Sequence, residues 1–230
     1  MKTKKKPHHH LASADKRLAK LIKKIGPPKL RVERTASPFR ALVEAVVYQQ
    51  LTGKAAETIL GRFKKLFGED VFPTPEQIIA IAHDKMRGAG LSGAKTLAIK
   101  DIAQKTIEGT VPETKAILKL DNDVIIEQLT QIRGVGRWTV EMLLIFKLGR
   151  KDVLPSSDYG VRKGFASVYG HKELPTPKEL EAHGARWAPF RSFAAWYLWR
   201  AADLNKLEGK PAAGRPGKSK QPKTKRPVRT

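Results

Sequence analysis

The residues best suited to chemistry lie between Leu129 and Phe165, in the run LTQIRGVGRWTVEMLLIFKLGRKDVLPSSDYGVRKGF. Asp158 follows Pro155-Ser156-Ser157 and precedes a helical pattern, so it reads as an N-cap whose carboxylate accepts helix N–H groups. The positive end of a helix favours a carboxylate anion there. An anion beside a bound sugar stabilises the oxocarbenium character that develops as a glycosidic bond breaks, and it can orient an attacking water. Upstream, Ile132-Arg133-Gly134-Val135-Gly136 is a very short link between two helical patterns. Two glycines flanking an apolar residue suit a turn with unusual backbone angles and close approach of a ligand. The free N–H groups at the start of the helix at Arg137 then face outward, where phosphate is favoured. The carbonyls of Thr130, Ile132 and Val135 on the other side of such a turn can share a monovalent cation, Na+ or K+, with that phosphate. Taken alone, each feature also has a plain structural reading: an ordinary helix–helix turn with a glycine C-cap, and a helix cap without chemistry.

Positioning these groups falls to helices. Apolar spacing between the chain ends is helical nearly throughout, with no convincing strand. Ser37-Pro38 reads as cap and first residue before FRALVEAVVYQQL. Further helices are predicted over 54–67, 75–82, 92–107, 121–130, 137–148 and 159–169, then from Pro177, and last over 188–204. The breaks are short, as in a helical bundle. No internal repeat or long linker divides the chain, so any two lobes must be interleaved.

With 230 residues the chain can build one large domain or two small lobes. Its formal net charge is +23. Setting aside the four lysines of residues 1–6 and the net eight charges of residues 206–230, the remaining 199 residues still carry +11. A basic body with basic ends favours a polyanion, most simply nucleic acid, over a merely solvated surface. There are no cysteines, which excludes disulfides, thiolate zinc sites and a cysteine-ligated iron–sulfur cluster. The N-terminus has no apolar secretory core, and no apolar run reaches the roughly 18 residues of a membrane span. Residues 1–10 and 206–230 read as basic, disordered ends, with His8, His9 and His10 incidental.

The run L-x-x-I-R-G-V-G-R-W-T-V followed by V-L-P-S-S-D-Y-G-V-R-K-G resembles the helix–hairpin–helix DNA glycosylases with a Gly/Pro-rich loop and an aspartate, the HhH-GPD superfamily. Within them it is most similar to the 3-methyladenine DNA glycosylase II, or alkylation-repair, type. Residues 37–59, 90–103 and 187–200 resemble that type's first core helix, middle segment and closing helix, so the likeness covers roughly residues 30–205. It implies an all-α, two-lobed helical bundle of about ten helices. One lobe would span about 52–155 and the other 11–51 plus 156–205, in a compact form without an N-terminal sheet domain.

The resemblance also implies roles. Asp158 would be catalytic. Trp138, Tyr159, Trp199 and Met142 would line a base pocket, while Trp187 and Trp196 would be core. Gln50, with Leu51 beside it, would be the wedge that fills the gap left by a flipped nucleotide, and Gln49 would hold the loop. Gly134, Val135, Gly136, Arg137, Lys54 and Lys95 would hold DNA phosphates, with Arg162 and Lys163 near them. Arg191 suits a structural ion pair equally well. Relatives that cut the strand carry a lysine at the position of Trp138 and form a Schiff base, so base removal alone is expected here. Met142, where some relatives have tyrosine, and Arg133, in place of a common proline, are departures. The implied function is excision of alkylated purines, 3-methyladenine and with it 7-methylguanine, from double-stranded DNA containing damaged bases. The protein would act as a monomer, without a membrane, an iron–sulfur cluster or any required cofactor, in the cytoplasm at the nucleoid or in the nucleus of a eukaryote. The alternatives are a glycosylase for hypoxanthine or uracil, and a non-catalytic lesion-binding protein.

Overall fold

The computed structural model describes residues 6–33, 37–68 and 71–207. The chain runs through α1 (Pro7–Ala14), α2 (Lys16–Ile25), α3 (Pro38–Tyr48), α4 (Gly53–Lys65), α5 (Pro75–Ala80), α6 (His83–Gly88) and α7 (Gly93–Ile107). It continues through α8 (Thr114–Ile117), α9 (Asn122–Leu129), α10 (Arg137–Met142), α11 (Tyr159–Tyr169), α12 (Pro177–Gly184) and α13 (Arg191–Leu207). A π-helical turn, Leu143–Lys147, prolongs α10, and a 3-10 turn, Ala185–Trp187, prolongs α12. No strand occurs among the described residues.

Local chemistry starts these helices where the sequence places them. Ser37 accepts the Arg40 N–H ahead of α3, and Ser92 accepts the Lys95 N–H ahead of α7. Thr74 and Thr176 form reciprocal capping boxes with Gln77 and Glu179. The last helix, expected from Ala188, begins at Arg191, beyond Pro189.

Two cores define two lobes. The first collects Phe39, Leu42, Val46, Phe63, Ile99, Leu129 and Leu144, among others, from α3 to the π-turn. The second gathers Leu11, Leu18, Phe165, Trp187, Tyr197 and Leu198 from both ends of the chain. The two cores draw on interleaved stretches of the chain, and the division between them falls earlier than residue 52. α3 buries Phe39, Leu42, Val43, Val46 and Val47 in the first core, so the central lobe begins near residue 37 rather than 52. Among the described residues, those from Leu11 to Ile25 share the second core with residues from Leu154 onward, whereas Leu30 packs against the first.

The expected disorder of residues 1–10 is corrected from Pro7 onward, where α1 forms. Leu11 is fully buried in the second core, and His10 Nε2 donates to the Ala188 carbonyl at 2.8 Å. At the other end α13 carries on through Leu207. The remaining expectations of disorder, for residues 1–5 and 208–230, lie outside the described residues.

The loop between the lobes, Leu148 to Asp158, is tied to α13. Arg191 grips Asp152 with Nε to Oδ1 at 2.7 Å and Nη2 to Oδ2 at 2.9 Å. Ser192 Oγ accepts the Val153 N–H at 3.0 Å and donates to the Arg150 carbonyl at 2.8 Å. The structural reading of Arg191 is thus the one realised, and its guanidinium fixes the strand of chain that delivers Asp158.

Candidate active site

Asp158 caps α11 through Oδ1, which accepts the Val161 N–H at 2.8 Å. The same oxygen accepts the indole N–H of Trp199 from α13 at 2.8 Å, and Oδ2 accepts the indole N–H of Trp138 from α10 at 2.7 Å. A carboxylate offers about four lone-pair sites. Oδ1 has filled both of its own, while Oδ2 keeps one, so the outward chemistry of this group belongs to Oδ2. The two tryptophans, expected as walls, also act through their edges, clamping the carboxylate plane from two helices.

Two glycines of α11 allow this approach. A side-chain carbon on Gly160 would lie 2.9 Å from Trp199 Cδ1, and one on Gly164 would lie 1.9 Å from the Leu198 carbonyl oxygen. Both contacts are closer than van der Waals packing permits, so α13 can rest on α11 only because these positions lack a side chain.

Beside Asp158 opens a cavity of about 480 Å³. Trp138, Met142, Phe146, Trp196 and Trp199 form its aromatic and thioether walls. Phe146 stacks on Trp199 with ring centroids 5.6 Å apart. Residues 29–31 and Glu33, from the link between α2 and α3, close the opposite rim, where Arg200 also lies. Of the four residues expected to line a base pocket, Trp138, Met142 and Trp199 come together in this lining. Tyr159, half-exposed at the head of α11, is not among the lining residues. Trp196, expected in the core, packs against the second core and also lines the cavity, whereas Trp187 is fully buried. Phe146 and the 29–33 link were missed. The π-turn re-aims Phe146, and no 3.6-residue pattern signals such a turn.

The hairpin is a tight turn between α9 and α10. Gly134 has φ +75°, and a side-chain carbon there would sit 2.8 Å from Ala98 Cβ, so this position requires glycine. Val135 is buried, and its N–H bonds the Ile132 carbonyl at 3.1 Å. The Arg133 N–H donates to Asp101 Oδ2 at 2.7 Å, which anchors the turn on α7. Gly136 provides no side-chain cap, so the first N–H groups of α10 lack that partner. The Arg137 side chain is folded back on Glu141, its Nε 3.0 Å from Oε1.

The loop after α3 stands against this hairpin. Gln49 Nε2 donates to the Gly134 carbonyl at 3.0 Å, the holding role expected of it. Gln50 is exposed at φ 58°, the one non-glycine residue with positive φ among those described, with Leu51 exposed beside it. Lys54 is exposed on α4. Lys95 does not project as a free grip. Its ammonium donates to the Val47 carbonyl at 2.7 Å and the Gln49 carbonyl at 2.8 Å, and burial lowers its pKa. It braces the Gln50 loop, a role hidden in sequence because its partners lie at the end of α3 and just beyond it, some 46 residues or more away. Arg162 is likewise engaged, with Nε on the Pro175 carbonyl at 2.7 Å. Lys163 is part-exposed on α11. Among the described residues no group of three or more His, Asp or Glu could hold a metal ion.

This geometry has counterparts. A DNA-3-methyladenine glycosylase 1 of Schizosaccharomyces pombe is 42% identical over 197 residues, covering 85% of this chain and 86% of the relative. The solved structure of a 3-methyladenine DNA glycosylase from that organism in complex with abasic DNA superposes with a TM-score of 0.77 at 40% identity, covering 86% of this chain and 97% of that one. A DNA-3-methyladenine glycosidase from Bacillus halodurans gives 0.80 at 34% identity, with 90% and 94% covered. Residues 43–190 match the family model described as HhH-GPD superfamily base excision DNA repair protein. That span runs from α3 through the hairpin and Asp158 to the edge of α13, and the chain is a member of the HhH-GPD superfamily of base excision DNA repair proteins.

Proposed function

We propose that the protein is a monofunctional DNA glycosylase of base excision repair. It hydrolyses the N-glycosidic bond of alkylated purines, 3-methyladenine foremost and 7-methylguanine with it, flipped out of duplex DNA. The observation that carries this reading is the Asp158 carboxylate, clamped at 2.7 and 2.8 Å by two indoles in the wall of an aromatic cavity. The 42% identical relative named for 3-methyladenine supports the substrate class.

Alkylation at N3 or N7 gives the purine a formal positive charge and weakens its bond to the sugar. The C1′–N bond breaks with its electron pair leaving on the base, which departs neutral and needs no acid. Trp138 and Trp199 attract the cationic base by stacking and cation–π interaction, worth roughly 1–2 kcal/mol. Asp158 stabilises the positive charge at C1′, and its remaining Oδ2 site receives the proton of the water whose oxygen bonds C1′. Trp138 offers no amine, so no Schiff base forms and the strand stays intact.

Gln50, with Leu51, fills the gap in the duplex. With the Val135 N–H engaged on the Ile132 carbonyl, the N–H groups of Gly134, Gly136 and the start of α10 hold a phosphate, and Lys54 adds charge nearby. Among the described residues the Ile132 carbonyl accepts only the Val135 N–H, at 3.1 Å, and so retains a lone pair for a Na+ or K+ ion shared with Thr130 and Val135. No cofactor is required. The protein works on genomic DNA as a monomer, at the nucleoid or in a nucleus. No helix among the described residues is long and apolar enough to cross a membrane.

The test is to incubate the protein with duplexes that each bear one defined lesion and to identify the released base. Release of 3-methyladenine, abolished by Asp158→Asn while DNA binding persists, is expected. Full activity in that variant overturns the mechanism. Release of hypoxanthine or uracil alone would select a deaminated-base enzyme instead, and strand nicking with borohydride-trappable crosslinks would overturn the monofunctional assignment.

A further inference from the structure

The Arg137 guanidinium lies away from the hairpin. It reaches one turn along α10 to Glu141, which is itself 2% exposed. The second carboxylate oxygen of Glu141, Oε2, is buried and has no hydrogen-bond partner among the described residues. The pair sits in a polar cleft of about 300 Å³ between the lobes, shared with Asn122, Asp123, Asp152, Glu181 and Arg191. The other cation of that cleft is committed, because Arg191 holds both oxygens of Asp152. Glu181 accepts the Ser156 hydroxyl at 2.6 Å. Arg137, by contrast, is 57% exposed and makes a single contact to its buried partner. A buried carboxylate with one detachable partner is costly to hold, since losing that partner leaves an uncompensated charge.

We propose that Glu141 is a positioning residue that stores the Arg137 guanidinium in the inter-lobe cleft of the free protein and yields it to a DNA phosphate beside the hairpin. This rests on reading the hairpin as a phosphate clamp. Once Arg137 leaves, Glu141 faces Asp123 of α9, Asp152 of the inter-lobe loop, Asp158 at the head of α11 and Glu181 of α12, while Arg191 of α13 stays on Asp152. Burial, and then the Glu181 and Asp158 charges, raise its pKa even with Arg137 in place. Without Arg137 it takes a proton from solvent, so DNA binding and proton uptake are coupled.

The experiment uses the full chain and a short duplex carrying a synthetic abasic-site analogue, with affinity measured against pH, salt and buffer ionisation enthalpy. The wild type should take up a proton on binding and lose affinity by up to about tenfold per pH unit as the pH rises between the pKa of Glu141 in the free protein and its higher pKa in the complex, with no slope outside that window. Glu141→Gln should lose that proton uptake and keep the salt slope. Arg137→Ala, with its fold checked by circular dichroism and thermal melting, should lose the same uptake and about one unit of salt slope. Undiminished uptake in Glu141→Gln, or an unchanged salt slope in Arg137→Ala, overturns the proposal. Neither readout contains a chemical step, so a failure here is distinct from a failure to release a base.

Discussion

Three N–H groups converge on one carboxylate at Asp158, and the two indoles among them can be tested without removing an aromatic wall. Trp199→Phe keeps a ring in the cavity and deletes one donor. Hydrogen bonds to charged groups are worth about 1.5–3 kcal/mol, so the melting temperature should fall by several degrees, and single-turnover base release, measured well below it, should slow by roughly ten- to a hundredfold. A wild-type rate would mean that the indole serves only as a wall. Gln50 poses a separate question at the same scale. A non-glycine residue at φ 58° is held at a cost of about 1–2 kcal/mol, and such strain gathers where a side chain must be aimed. Gln50→Ala should weaken binding to lesion-bearing duplex more than to undamaged duplex, measured by competition titration. Equal losses would assign the residue to general backbone contact.

At the scale of elements, the packing of α13 on α11 sets the distance between Trp199 and Asp158. Gly164 meets the Leu198 carbonyl so closely that Gly164→Ala must push the two helices apart. Overpacking of this kind costs about 1–3 kcal/mol, and here it also withdraws the indole N–H from Oδ1. A lowered melting temperature together with lost base release is expected, while unchanged values for both would show that the helices do not share this contact in solution. How far such elements can be read from sequence depends on how local their cause is. Ser37, Thr74, Ser92, Thr176 and Asp158 announce helix starts because a cap acts within three residues. The hairpin is legible for the same reason. Lobe membership of α3 is not, because an apolar face shows that a helix is buried without naming its partner. The bracing role of Lys95 and the cavity face of Trp196 are hidden alike, since a lysine on a helix looks solvated until distant carbonyls come to it, and an aromatic that packs on a core does not show that a cavity opens beside it. The wall formed by residues 29–33 has no sequence signature at all, being placed by the packing of the segments around it.

At the scale of the whole molecule, the second lobe must join two stretches that lie far apart in the chain, and Asp15 fastens them. Its Oδ1 caps α2 through the Arg17 and Leu18 N–H groups, both at 3.0 Å. Its Oδ2 takes the Tyr169 hydroxyl of α11, Nε2 of His183 on α12 at 3.0 Å, and the Trp187 indole at 3.2 Å. Burial alone would raise the pKa of this carboxyl. The bonds from Tyr169, Leu18, His183 and Trp187 outweigh burial and bring it down to about 2. A carboxyl depressed from about 3.8 to about 2 contributes about 2 kcal/mol above pH 4, and that stability is lost as the pH falls through 2. His183 acts in the same direction at higher pH. Burial, chiefly, lowers its pKa, so the unfolded chain binds the proton more readily and stability falls as the pH drops below 6.5. Asp15→Asn keeps the shape of the side chain but turns amide hydrogens toward a site ringed by donors. At neutral pH it should lower the melting temperature by about 4–8 °C, the response of a domain of this size to ~2 kcal/mol. Thermal melts followed from pH 7 to pH 2 should show the gap between wild type and variant closing between about pH 4 and 2. A gap that stays constant across that interval would mean that the charge on Asp15 does not hold the chain ends together and that shape alone accounts for its burial.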